Sequence, residues 1–62
     1  MFEKFDEIFA EVMVEKGINT WYELYDSEDF EEVENRISEW LGYDCWNNNE
    51  FRKWNHDMAM DL

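Results

Sequence analysis

The segment DSEDFEEVENRISE, residues 26–39, sets the tightest limit on what this chain can fold into. Seven of its fourteen side chains are carboxylates: Asp26, Glu28, Asp29, Glu31, Glu32, Glu34 and Glu39. Its only base is Arg36. Like charges held close together repel, and an unpaired charge cannot be buried at tolerable cost. The segment can therefore pack only if its few apolar residues share one stripe and leave the carboxylates in water. Phe30, Val33, Ile37, Trp40 and Leu41 recur at helical spacing and supply that stripe. Asp26 or Ser27 can cap the helix, the acids Glu28 and Asp29 suit the positive end of its dipole, and Gly42 ends it. This phase sets Glu28, Glu31, Glu32 and Glu39 beside the apolar face, with Glu34 and Asn35 on the outer side.

The same periodicity runs through the rest of the chain. In FEKFDEIFAEVMVEK, residues 2–16, the apolar positions Phe2, Phe5, Ile8, Phe9, Val12 and Met13 fall on one helical face. Gly17 follows as a C-cap, with Lys16 in the last turn to suit the dipole. Thr20 and Glu23 match a capping box and predict a short helix from Trp21 to Tyr25. The same aromatic residues also suit a strand, although no second strand offers itself as a partner. YDCWNNN reads as a loop, and Asn47 with Glu50 as the start of a last helix that carries Phe51, Trp54 and Met58 on one face and ends at Asp61 and Leu62.

With 62 residues, no proline and no linker, the expectation is one domain over residues 1–62. Its class is all-α, a compact three- or four-helix bundle around an aromatic core. A domain this small buries only about 60% of its unfolded surface. Bulky side chains compensate, and this chain has four Trp, three Tyr and five Phe. Phe5, Phe9, Phe30, Phe51, Trp21, Trp40, Trp46 and Trp54 are the expected core. A monomer and a core-sharing homodimer are both compatible with this size.

Seventeen acids against five bases give a net charge of −12. A small soluble domain is comfortable at a magnitude of about 2–8. So negative a chain does not bind nucleic acid directly or settle on an anionic membrane; its natural partners are basic surfaces. No apolar run is long enough to span a bilayer, and the acidic start does not fit a secretory signal. The single Cys45 excludes an internal disulfide, which makes a reducing cytoplasm the expected setting.

Dedicated chemistry is hard to find. His56, Cys45 and Asp57 fall short of the ligand set and spacing of a zinc site. DSEDFEE lacks the glycine of a calcium-binding loop and puts Phe30 where an oxygen ligand belongs. Cys45 with His56 as a nucleophile and base, or two carboxylates as acid and base, would need a cleft that a chain of this size can hardly build. No metal, cofactor or enzymatic activity is expected.

The carboxylates have their own order. Glu3, Glu7, Glu11 and Glu15 are spaced by four, a stripe along the first helix, with Asp6 to its side. Each step advances about 6 Å along the helix. Alternate phosphates of one DNA strand lie about 7 Å apart along the axis. Glu23, Asp26, Glu28, Asp29, Glu31, Glu32 and Glu34 extend the field, while Arg52 and Lys53 lie apart in the last helix. A solvated face that serves solubility is the plain reading of any one such run. In size, acidity and aromatic content the chain resembles the small phage-encoded inhibitors that imitate DNA, among them anti-CRISPR and anti-restriction proteins. FEKFDEIFAEVMVEKG and DSEDFEEVENRISEW carry that likeness. It implies that Glu3, Glu7, Glu11, Glu15, Glu28, Glu31, Glu32 and Glu34 stand in for phosphates on a basic nucleic-acid-binding protein, and it implies no fold. The alternative is an acidic interaction module, such as an antitoxin or an RNA polymerase regulator. There the affinity would come from aromatic anchors, with Tyr22, Tyr25, Tyr43 and Trp46 as candidates.

Overall fold

Each apolar stripe becomes the buried face of a helix. The computed structural model describes residues 2–61, so the expected end at Leu62 lies outside the described residues. The order is α1 (Glu3–Lys16), α2 (Trp21–Tyr25), α3 (Phe30–Leu41), a 3₁₀ turn (Cys45–Asn47) and α4 (Asn49–Met60). There is no strand among the described residues, and the fold is a small all-α bundle. Trp21–Tyr25 is helix, which resolves the ambiguity between helix and strand.

Both glycines act as helix stops. Gly17 has φ 68°, donates its N–H to the Val14 carbonyl, and is followed by Ile18 donating to Met13 at 2.9 Å. That is the paired-bond ending that favours glycine, because a Cβ is strained at this φ. Gly42, at φ 85°, closes α3 with one bond to the Ser38 carbonyl at 2.8 Å.

The starts differ in detail from the sequence expectation. Thr20 has the extended backbone of an N-cap, but its hydroxyl makes no capping bond and is buried without a partner. The α2 helix is held instead by packing of Leu24, which is fully buried. Ser27 leads into α3: its hydroxyl donates to the Leu24 carbonyl and accepts from the Asp29 N–H. In α4 the cap is Asn48, one residue after the expected Asn47, and its side-chain oxygen accepts from the Phe51 N–H at 2.8 Å. The expected loop contains the 3₁₀ turn, in which Asp44 accepts from the Trp46 N–H and so uses the local bonding that aspartate favours in turns.

The core joins Phe5, Ile8, Phe9 and Val12 of α1, Leu24 of α2, Phe30, Val33 and Ile37 of α3, and Phe51 and Trp54 of α4, with Cys45 from the turn. Phe5 sits among the rings of Phe51 and Trp54, with centroids 5.9 and 5.7 Å away, both edge-on or tilted contacts that aromatic pairs prefer. Three expected core residues are not in it. Trp40 is 54% exposed and Trp46 is 43% exposed. Each touches the core with one edge, Trp40 against Phe5 and Trp46 against Phe51. Eleven buried residues already fill a bundle this small, and the last two indoles are left on its rim. Trp21 is half-buried.

Candidate functional site

A helix turns about 100° per residue, so a residue four positions on is displaced by about 40°. That drift decides the fate of the α1 stripe. Glu3 points away from the bundle, Glu7 and Glu11 follow around the helix, and Glu15 arrives beside α3. There Arg36 grips it with two parallel bonds, Nη1 to Oε2 at 2.7 Å and Nη2 to Oε1 at 2.6 Å. Arg36 Nε also donates to Glu32 Oε1 at 3.1 Å. The guanidinium thus clamps α1 to α3, and its hydrogen bonds hold the Glu15 carboxyl below the ordinary glutamate value. The Arg36 pKa is raised by the same bonds.

Other expected binding residues are also engaged within the molecule. Asp6 accepts from Trp54 Nε1 at 2.9 Å, tying α1 to α4. Glu7 lies 3.8 Å from Lys4, and Asp29 lies 4.0 Å from Lys16. Lys4 also stands 5.9 Å from the Trp40 ring. Three of the five bases, Lys4, Lys16 and Arg36, therefore serve acids on or between α1 and α3. Glu3, Glu11, Glu23, Asp26, Glu28 and Glu31 are exposed, and their carboxylates form no ion pair or hydrogen bond among the described residues.

The opposite flank of α3 is different. Glu31, Glu34, Asn35 and Ser38 follow the i, i+3, i+4, i+7 pattern of one helix face. Together with Ser27, Glu28, Tyr25, Asp44, Cys45 and Trp46 they line a groove of about 740 Å³ between α3 and the 3₁₀ turn. Four carboxylates border it, Glu28, Glu31, Glu34 and Asp44, and no base lines it. Trp46 forms one wall. Its ring packs edge-on against Phe51 at 4.9 Å, and its Nε1 donates to Glu34 Oε2. Glu34 is half-buried beside this indole and not on the outer side that the sequence suggested. Tyr25 closes one end, packed on Phe30 at 5.0 Å.

Ser38 fixes the groove floor by accepting the Cys45 N–H at 2.9 Å. Burial pushes the Cys45 thiol above its ordinary value; the Ser38 hydrogen bond pulls it back, and the charges of Glu34 and Asp44 push it up again. Such a thiol is kept protonated, the wrong state for a nucleophile. His56 is exposed on α4. The described residues contain no group of three or more His, Cys, Asp or Glu placed to hold a metal, and no helix long and apolar enough to cross a membrane.

Of the expected aromatic anchors, Tyr22, Tyr43 and Trp46 are exposed, and Tyr25 is half-buried. Tyr43 is held by Asn48, whose Nδ2 donates to its hydroxyl at 2.8 Å. Sequence reasoning missed Asp44, Asn35 and Ser38 as parts of the groove. The shared helical phase of residues 31, 34, 35 and 38 was the available signal for Asn35 and Ser38. Asp44 had only a weak signal, an aspartate two residues before a tryptophan in a turn. No protein-family model, curated protein or solved structure matches the chain.

Proposed function

We propose that this protein is a stoichiometric inhibitor that occupies the basic nucleic-acid-binding surface of another protein and displaces DNA or RNA from it. The target class is a CRISPR effector, a restriction enzyme or another DNA-handling protein, met in the cytoplasm of a host cell. The observation that carries this reading is the groove beside α3: four carboxylates, an indole wall and no base among its lining residues. A surface built to grip phosphates with Lys and Arg meets the same charge pattern there, and binding would be steered and salt-sensitive. Asp26, exposed between the lining residues Tyr25 and Ser27, widens the field, and Glu23 is exposed on α2. On the α1 stripe Glu3 and Glu11 offer a second contact area, whereas Glu15 is clamped by Arg36, Glu7 pairs with Lys4, and Asp6 gives one of its two oxygens to Trp54.

A second reading is favoured by the exposure of Trp46, Tyr43 and Tyr22. An acidic interaction module, an antitoxin or a polymerase regulator, would draw its affinity from those rings and use charge only for steering. One experiment separates the two. The protein captures its target from host lysate at low salt, and the purified pair is challenged with duplex DNA. The inhibitor reading expects DNA to compete and Glu28→Gln with Glu31→Gln and Glu34→Gln to weaken the complex. Retention of the complex by that triple variant, with no competition from DNA, would sink it in favour of the module.

A further inference from the structure

A second, smaller cleft lies between the start of α1, the start of α2 and the end of α4. Its volume is about 370 Å³, and its lining is Phe2, Asp6, Phe9, Trp21, Trp54, Asp57, Met58 and Asp61. The apolar part is aromatic: Trp54 and Phe9 form a buried base with ring centroids 6.0 Å apart, and Phe2 and Trp21 are half-buried beside it. The polar part is wholly anionic. Asp57 and Asp61 are exposed, and their carboxylates have no hydrogen-bond or ion-pair partner among the described residues. Asp6 uses Oδ1 to accept from Trp54 Nε1, which leaves Oδ2 without a partner. No base lines the cleft.

We propose that this cleft takes an arginine side chain presented by a partner protein. Charge complementarity selects a cation, since three carboxylates border the site and nothing in its lining offsets them. The aromatic walls select a flat, weakly hydrated one. A guanidinium stacks on an indole face while its N–H groups reach carboxylates in the ring plane, whereas an ammonium is a compact, strongly hydrated point charge. A neutral apolar side chain would fill the walls but leave the carboxylates to be desolvated without return. Trp54 is buried and forms the floor, held by its bond to Asp6, so the indole with surface left for a ligand is the half-buried Trp21. This proposal does not depend on nucleic-acid competition at the groove beside α3, since it uses different residues on different elements.

The test uses the full chain, ¹⁵N-labelled, at low salt, with blocked Gly-Arg-Gly, Gly-Lys-Gly and Gly-citrulline-Gly peptides as probes. The indole N–H signals of the four tryptophans report each region separately. Saturable shifts of Trp21 and Trp54 with the arginine peptide are expected, weaker ones with lysine and none with citrulline. Asp57→Asn with Asp61→Asn, two exposed positions that leave the core untouched, should weaken the Trp21 and Trp54 response about fivefold. Its Trp46 response should be unchanged, because Trp46 reports the other groove. Equal shifts with citrulline, or an unchanged Trp21 and Trp54 response in the double variant, would overturn the assignment.

Discussion

On one flank of α3, Glu32 and Arg36 face α1 and are bound up with Glu15. On the other flank of the same helix, Glu31 and Glu34 face a groove whose lining contains no base. Both flanks come from one acidic segment with a single arginine. The helix phase sends that arginine to one side only. The charge of the first flank holds two helices together, whereas on the second only Glu34 has a partner, the Trp46 indole, and Glu31 has none among the described residues. High charge density alone says little about binding; what matters is which carboxylates the fold has already satisfied.

The harshest way to break this comparison is to remove what both flanks stand on. Phe51 is fully buried and touches Trp46 of the groove wall and Phe5 of the α1 side. Phe51→Ala should cost about 3–5 kcal/mol. A domain of this length has roughly 3–9 kcal/mol in all. Loss of cooperative thermal unfolding by circular dichroism is the expected result, and both flanks should fail together. A clean transition near the wild-type midpoint would mean that the aromatic core is not shared between them.

Charge substitutions sharpen the comparison without unfolding the protein. Glu28→Gln with Glu31→Gln and Glu34→Gln on the groove side should weaken the complex with a basic target about tenfold or more and flatten its salt dependence. Glu15→Gln with Glu32→Gln on the clamp side removes two charges against three, yet should leave affinity nearly unchanged, lowering the thermal midpoint instead. Titration calorimetry and melting curves of the two variants check both halves. Equal losses of affinity would mean that net charge, and not its placement, drives binding. A smaller effect is expected from Trp46→Phe, which keeps the ring on Phe51 but takes the Nε1 donor from Glu34. It should cost about 1 kcal/mol or less in urea unfolding.

Much of the fold was legible because apolar spacing and glycine stops are local signals. Phe5, Ile8, Phe9 and Val12 mark the α1 face, and Gly17 and Gly42 take the positive φ values that their places predict. The misplaced cap, Asn48 for Asn47, reflects three consecutive asparagines of equal capping chemistry; tertiary packing of Phe51 and Trp54 selects among them. Trp40 was misread because helical spacing gives direction but not capacity, and the core was full without it. The candidate site was legible only in its acids. Glu28, Glu31 and Glu34 could be named, but their separation from Arg36 depends on where α1 and the 3₁₀ turn dock, and that is a long-range outcome. The same holds for Asp6, whose bond to Trp54 joins residues forty-eight positions apart.

The subtlest test concerns the clamp in acid. Arg36 lowers the Glu15 pKa, chiefly by hydrogen bonding, so folded Glu15 holds its proton less readily than unfolded Glu15. Its contribution to stability is therefore complete at pH above the unfolded value, about 4.3, and is lost as the pH falls through the lower folded value. The remaining unpaired carboxylates act in the opposite direction: a chain of net charge −12 is relieved of repulsion as they are protonated. Wild-type stability alone mixes the two. The difference between wild type and Glu15→Gln isolates the clamp, because the repulsion is nearly common to both. That difference should be constant from pH 7 to about pH 5 and shrink below about pH 4. A difference that stayed flat down to pH 2 would show that the Arg36 bridge adds nothing specific to the joining of α1 and α3. The two flanks of α3 would then differ in geometry but not in energy.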